Sequence, residues 1–325
     1  MPAVPLARVI RSGVEESVHA GDVAVVDAEG ALVAHVGAPN RQVFARSSMK
    51  PLQATVSLSL IQADFADREI AVMCASHNAE PIHVEAVRSL LARARVEEDA
   101  LQCPLARPWD DETLAADPTR RRINSDCSGK HAGMLAACRA QRWPLESYRD
   151  PDHPLQQRIL EAVLQASGEE RVHLGVDGCG VPVHGMALRA MAAIYARLAR
   201  PERLGILEGA ARRAVAAMRA EPYLVAGRNR PDTAVIQEVT DVIAKGGAEG
   251  LMCAAVLDRG LGVAVKIRDG ASRPMGPALI HVLRGMDVVY DQAFIRLGRF
   301  ATPAVLGGGE PVGQIEAGFE LTWEA

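Results

Sequence analysis

Ser17-Val18-His19-Ala20-Gly21-Asp22-Val23-Ala24-Val25-Val26-Asp27, then Ala28-Glu29-Gly30, then Ala31-Leu32-Val33-Ala34-His35-Val36, is the stretch on which the fold turns. Two runs rich in β-branched residues are joined across a short turn that holds glycine, the pattern of an antiparallel hairpin. Working outward, Leu6 to Ile10 predicts a strand before it. Leu251 to Leu257 and Gly262 to Arg268 predict a second hairpin across Asp258-Arg259-Gly260, and a final strand is expected near Gln314 to Leu321. Between these ends the spacing is helical, at Ser48 to Leu60, Arg68 to Ala75, Pro81 to Ala94, Gly129 to Ala140, Pro154 to Ala166, Gly185 to Leu198, Arg203 to Arg219 and Thr233 to Ala244, with a closing helix over Gly276 to Leu283. The expectation is an α/β (α+β) protein forming a single domain over 1–325. Its antiparallel sheet comes from both chain ends, about 1–45 and 250–325, a helical lobe spans about 46–245, and a cleft between them holds the site.

The 325 residues carry a formal net charge of -4, which leaves no electrostatic footprint for nucleic acid. No stretch is apolar and long enough to cross a bilayer, and Met1 to Arg8 reads as the start of a strand, not a leader, so the expected address is cytoplasmic. Six cysteines (Cys74, Cys103, Cys127, Cys138, Cys179, Cys253) are too sparse for a disulfide framework and are buried thiols or ligands. Only four of the 36 basic residues are lysines: Lys50, Lys130, Lys245 and Lys266. Arginine keeps its proton near neutral pH whereas a buried lysine can lose it, so each lysine is a site candidate, beside the plain alternative of codon bias.

In Arg46-Ser47-Ser48-Met49-Lys50, Ser47 and Lys50 stand three apart at a helix start and share a face. A desolvated lysine, its pKa pulled toward about 7 to 8, can take the proton of a serine nucleophile. The ordinary alternative is a capping serine and a solvent-facing lysine. Lys245-Gly246-Gly247 precedes a predicted strand, and reads equally as a helix carboxy-terminal cap. Asn124 to Met134 is a polar, then glycine-bearing loop feeding a helix, and Val176-Asp177-Gly178-Cys179-Gly180-Val181-Pro182 is a strand end turning through glycines. Neither has zinc-finger spacing, so Cys127 and Cys179 read from spacing as buried thiols, with Lys130 and Asp177 as further potential ligands. In Cys74-Ala75-Ser76-His77-Asn78-Ala79-Glu80-Pro81, Ser76 offers a second hydroxyl and Glu80 an anion for a substrate amine. Asn78 and Glu80 could equally serve the following helix.

Taken in order, Arg46 to Pro51, Cys74 to Glu80, Cys127 to Met134, Asp177 to Pro182 and Lys245 to Gly250 resemble the class 3, Rhizobium etli-type L-asparaginases of the asparaginase II family. The resemblance implies a fold like serine β-lactamases and glutaminases, a homodimer, and two Ser-Lys pairs, Ser47 with Lys50 and Ser76 with Lys245. It also implies one zinc ion on Cys127, Lys130, Asp177 and Cys179, structural or substrate-orienting, and no organic cofactor. The family's usual aromatic residue after the arginine is missing from Ala226-Gly227-Arg228-Asn229-Arg230-Pro231-Asp232-Thr233.

The expected reaction is hydrolysis of L-asparagine through a serine acyl-enzyme, with Arg46, Glu80 and His131 holding the amino-acid substrate. The partner is thus a small molecule, with neither nucleic acid nor membrane involved. The competing readings are a penicillin-recognising serine hydrolase, a glutaminase-like amidohydrolase, and a zinc-stabilised amino-acid-binding protein without turnover.

Overall fold

The computed structural model describes residues 4–324, so Met1 to Ala3 of the expected first strand lie outside the described residues. The chain forms two compact units: residues 1–48, 186–200 and 234–325 make one, and residues 49–185 and 201–233 the other.

The first unit is built on an antiparallel sheet. Its path runs Ala304–Gly307, Glu310–Ala317, Val4–Arg11, Val14–Asp27, Leu261–Ile267, Leu251–Val256 and Val242–Gly246. Leu32–Val36 also pairs with Val14–Asp27, closing the expected hairpin with Val25 opposite Ala34, and Thr322–Trp323 pairs with Leu32–Val36. Strands from near the two ends of the chain therefore lie side by side, Val9 opposite Ile315. Val14–Asp27 is exposed over its first half and buried from Gly21 to Val26, which is why its second half reads as an apolar run and not as an alternation. Helix Leu188–Ala199 covers this part of the sheet, and it comes close because residue 262 is glycine. A Cβ there would lie 1.9 Å from the Ala192 carbonyl oxygen.

Two expected helices differ in extent. Gly185 to Ala187 belong to the strand Pro182–Ala187, which pairs with His173–Val176, so the helix expected from Gly185 starts at Leu188. The helix expected to reach Ala244 ends at Glu238, and Val242–Gly246 is a fully buried strand, Lys245 facing Cys253 across the ladder. The run Asp241-Val242-Ile243-Ala244 fits either period at that length; the unpaired edge of Leu251–Val256 decides it. Lys245 thus sits on a strand and not on a helix cap.

The second unit is mainly helical, from Lys50–Ser59, Asp67–Met73, Pro81–Ala94, Ser128–Gln141, Pro154–Ser167 and Glu208–Ala220. Ser128–Gln141 is its central helix, buried on every side from Ser128 to Cys138, as its small and apolar sequence allows. It closes on the helix Asp67–Met73 at Gly129, where a Cβ would meet the Val72 carbonyl oxygen at 2.0 Å. No helix among the described residues is long and apolar enough to cross a membrane.

Candidate active site

The 3-10 turn Arg46–Met49, whose first three residues belong to the sheet-based unit, presents Ser47. Arg46 has φ +45°, a left-handed conformation that costs a non-glycine residue roughly 1 kcal/mol and persists only where the surroundings enforce it. The neighbouring side chain enforces it: Ser48 Oγ donates to the Lys245 carbonyl at 3.1 Å, and the Ser48 carbonyl accepts from Tyr195 Oη at 2.7 Å. Gly247 lets this segment close in, since a Cβ there would stand 2.8 Å from Ser48 Oγ. The half-buried Ser47 hydroxyl makes no hydrogen bond among the described residues. Lys245 is wholly buried, its Nζ donating to the Gly246 carbonyl at 2.5 Å. Arg46 approaches Glu249 at 3.9 Å with a quarter of its side chain exposed.

In the helical unit, Lys50 opens the helix Lys50–Ser59 and is completely buried. Its Nζ donates to Ser76 Oγ at 2.9 Å and to the Asp126 carbonyl at 3.2 Å, and faces the Asp126 carboxylate at 3.4 Å. Burial alone pushes this amine down. The negative charge around Cys127 and Asp126 outweighs burial and holds Lys50 above its ordinary value. This direction runs against the neutral Lys50 amine expected from the motif: desolvation was legible there, the anions facing the amine were not.

Cys127 and Cys179 come together, each on its own turn. Cys127 stands at the entrance to the helix Ser128–Gln141, and Cys179 sits in the turn of the hairpin His173–Val176 with Pro182–Ala187. The two sulfurs stand within hydrogen-bonding reach of each other. Their mutual hydrogen bond raises Cys127, with burial adding to the effect, and lowers Cys179 far below the usual thiol range, helped by Lys130 and His131. Lys130 Nζ meets Cys179 Sγ at 3.0 Å, and its ammonium is held up against burial by Cys179, Cys127 and Asp177. The Asp177 carboxylate stands 3.7 Å from Cys179 Sγ. The sulfurs and amine that converge here suit a borderline-soft dication. Among the described residues no three His, Cys, Asp or Glu side chains are grouped as an ion's ligands, so the fit rests on two sulfurs and one amine. The remaining thiols are ordinary core: burial pushes Cys138 and Cys253 up to about 12 and Cys103 to about 11.

Of the residues expected to hold substrate, His131 is buried on the central helix with Nδ1 at 2.5 Å from Tyr148 Oη and its ring also bonded to Cys179; burial pushes its imidazole down, against the pull of Cys179. Glu80 is buried and occupied at both oxygens, by Tyr223 Oη at 2.5 Å and by the Arg228 amide at 2.9 Å. It anchors the loop after Ala226 and does not present a free anion. His77, between Ser76 and Glu80, is held neutral by burial and bonds Ser128 Oγ at 2.9 Å.

Several of these partners were not singled out by the motif reading: Asp126, Ser128, Tyr148, Tyr195 and Tyr223. A usable signal existed for the tyrosines. The chain has only four, and three of them hydrogen-bond His131, the Ser48 carbonyl and Glu80.

The family model described as L-asparaginase II matches residues 7–317. No curated protein sequence matches the chain significantly. Among solved structures, a β-lactamase from Mycobacterium bovis superimposes with TM-score 0.42 at 15% identity, covering 83% of this chain and 95% of its own. A putative β-lactamase from Bacteroides dorei gives 0.44 at 14% identity, covering 81% and 93%. The Bacillus subtilis glutaminase, solved as a covalent complex with 5-oxo-L-norleucine, gives 0.39 at 15%, covering 82% and 88%. Likeness at that level leaves the activities of those proteins with those proteins.

Proposed function

Because the chain belongs to the L-asparaginase II family and is an amidohydrolase, we propose that it hydrolyses L-asparagine to L-aspartate and ammonia through a serine acyl-enzyme. The observation that carries the mechanism is the buried contact of Lys50 Nζ with Ser76 Oγ at 2.9 Å. The half-buried Ser47 hydroxyl, without a hydrogen bond among the described residues and beside a strained Arg46, supports Ser47 as nucleophile, and the bonded, buried Ser76 hydroxyl suits a relay. Ser47 Oγ forms a bond to the side-chain amide carbon while its proton passes to Lys245. The C–N bond breaks, and the departing nitrogen leaves as ammonia with a proton from the Lys50 ammonium, passed through Ser76. Water then adds to the acyl carbon and gives a proton to Lys50; Lys245 returns its proton to Ser47 as aspartate departs.

Arg46 is assigned to the substrate α-carboxylate, and His131 to a second polar group of the substrate. The sequence resemblance supports placement in the Rhizobium etli-type subclass, a homodimer in the cytoplasm with one zinc ion. Cys127, Lys130 and Cys179 would hold that ion, with Asp177 beside them. When bound, a dication supplies positive charge that keeps the thiols deprotonated and the Lys130 amine neutral. Metal analysis of protein purified without added metal should find about one zinc per chain, and Cys179→Ala should empty it. Protein that stays metal-free after zinc is supplied would remove the ion from the account.

The activity is tested by ammonia release from L-asparagine, with L-glutamine and a β-lactam alongside. Turnover of asparagine lost in Ser47→Ala and in Lys245→Met is the expected result. Acylation by the β-lactam without ammonia release from either amino acid would replace the proposal.

A further inference from the structure

The backbone from Ser76 to Asn78 is fastened on both edges. Ser76 and Asn78 amides donate to the Val225 and Ala226 carbonyls, both at 3.0 Å, and the His77 amide to Asp126 at 3.3 Å. On the other side the Asn78 carbonyl accepts from the Trp109 amide at 2.9 Å and the Asp110 amide at 3.3 Å. The Ser76 carbonyl is met by a side chain: Arg230 Nη1 reaches it at 3.3 Å and the Asn78 Oδ1 at 3.0 Å. Asn78 Nδ2 answers by donating to the Arg228 carbonyl at 2.8 Å. The Arg230 side chain is 22% exposed, with Asp232 3.9 Å away, and the Trp109 ring lies over its guanidinium with the centroid 5.6 Å from Cζ. Ala79 ends the run at φ +62°, a strained conformation that such fastening sustains.

We propose that Arg230 is a positioning residue for Ser76, clamping the Ser76 carbonyl to the Asn78 side chain beneath Trp109 so that the Ser76 hydroxyl stays on the Lys50 amine. The inference rests on Ser76 and Lys50 acting in turnover, as argued above. Both hydrogen bonds leave the one nitrogen Nη1, while the planar guanidinium lies under the Trp109 ring, a stacking that the compact ammonium of a lysine does not reproduce, so arginine is required at the position. The cation also helps to hold His77 neutral, which suits the geometry: His77 Nδ1 accepts from the Ala79 amide at 3.1 Å and therefore carries no proton. Arg230 touches no reacting atom in this account and acts through the backbone of Ser76.

The test is steady-state asparagine hydrolysis by Arg230→Ala, Arg230→Lys and Ser76→Ala, each with and without guanidinium chloride below denaturing concentrations. Displacement of a catalytic group by about 1 Å costs about 100-fold, so Arg230→Ala should lose roughly that in kcat with KM little changed. Guanidinium, entering the half-open slot under Trp109, should restore part of kcat, and Arg230→Lys should recover little. Arg230→Ala with wild-type kcat, or with raised KM alone, overturns the inference, as does a folded variant that guanidinium fails to rescue. If Arg230→Ala does not fold, Arg230→Lys and Trp109→Ala carry the test: lowered kcat at wild-type KM supports the clamp, wild-type kcat in both overturns it. Full activity in Ser76→Ala would instead show that the underlying reading of Ser76 has failed.

Discussion

Replacing Tyr223 by phenylalanine deletes one hydroxyl and keeps the ring, which stacks on His83 with centroids 5.9 Å apart. The hydroxyl donates to Glu80 Oε2 at 2.5 Å, and Glu80 is only 4% exposed. A hydrogen bond to a charged group contributes about 1.5 to 3 kcal/mol, and a buried carboxylate oxygen left without its donor costs a similar amount. Tyr223 is half-buried, so water can replace part of the contact, and the lower end of that range, about 1.5 to 2 kcal/mol, is expected. Glu80 also accepts from the Arg228 amide at 2.9 Å, so loosening the carboxylate loosens the start of the loop from Gly227 to Asp232 that carries Arg230. Urea unfolding followed by circular dichroism reads the loss of stability, and asparagine hydrolysis reads the loop. Stability within about 0.5 kcal/mol of the parent, together with unchanged kcat, would refute the description of Glu80 as an anchor. It would return Glu80 to the role of a free anion for the substrate amine.

Lys50→Arg keeps a cation but cannot pass on a proton, so turnover should fall by about 100-fold or more, and wild-type kcat would show that Lys50 only supplies charge. His184 is buried and burial alone pushes its imidazole down to about 4. Between pH 6.5 and 4 the unfolded chain binds a proton there that the folded chain refuses. Stability should therefore fall by about 3 kcal/mol as pH drops through that window and level off below it, a dependence that His184→Gln removes in urea melts at pH 7 and 4.5. Gly262→Ala would place a Cβ 1.9 Å from the Ala192 carbonyl oxygen and 2.4 Å from the Ala196 amide. Moving the helix Leu188–Ala199 off the sheet should cost roughly 3 kcal/mol, and an unchanged melting temperature contradicts that packing.

Local pattern carried most of the fold. The hairpin from Val14–Asp27 to Leu32–Val36 was readable because β-branched runs flank a glycine turn, and the helix Pro81–Ala94 because proline marks its start. Val242–Gly246 was not, since five apolar and small residues have no period of their own and the ladder with Leu251–Val256 decides their state. The lysines were legible through their scarcity, yet the charge state of Lys50 was not. That depends on Asp126 and the Cys127 pair, which reach it from a segment more than seventy residues away. The same limit hid Arg230, whose partners Ser76 and Asn78 are brought to it only by the pairing of the Ser76 and Asn78 amides with Val225 and Ala226.

Intact-protein mass spectrometry during L-asparagine turnover, on the parent chain and on Ser47→Ala and Ser76→Ala, addresses the central claim of a serine ester most directly. A species heavier by one aspartyl group, formed by the parent, mapped to Ser47 and absent from Ser47→Ala, is the predicted result. Rapid ammonia release by Ser47→Ala, or an ester mapped to Ser76, would contradict it.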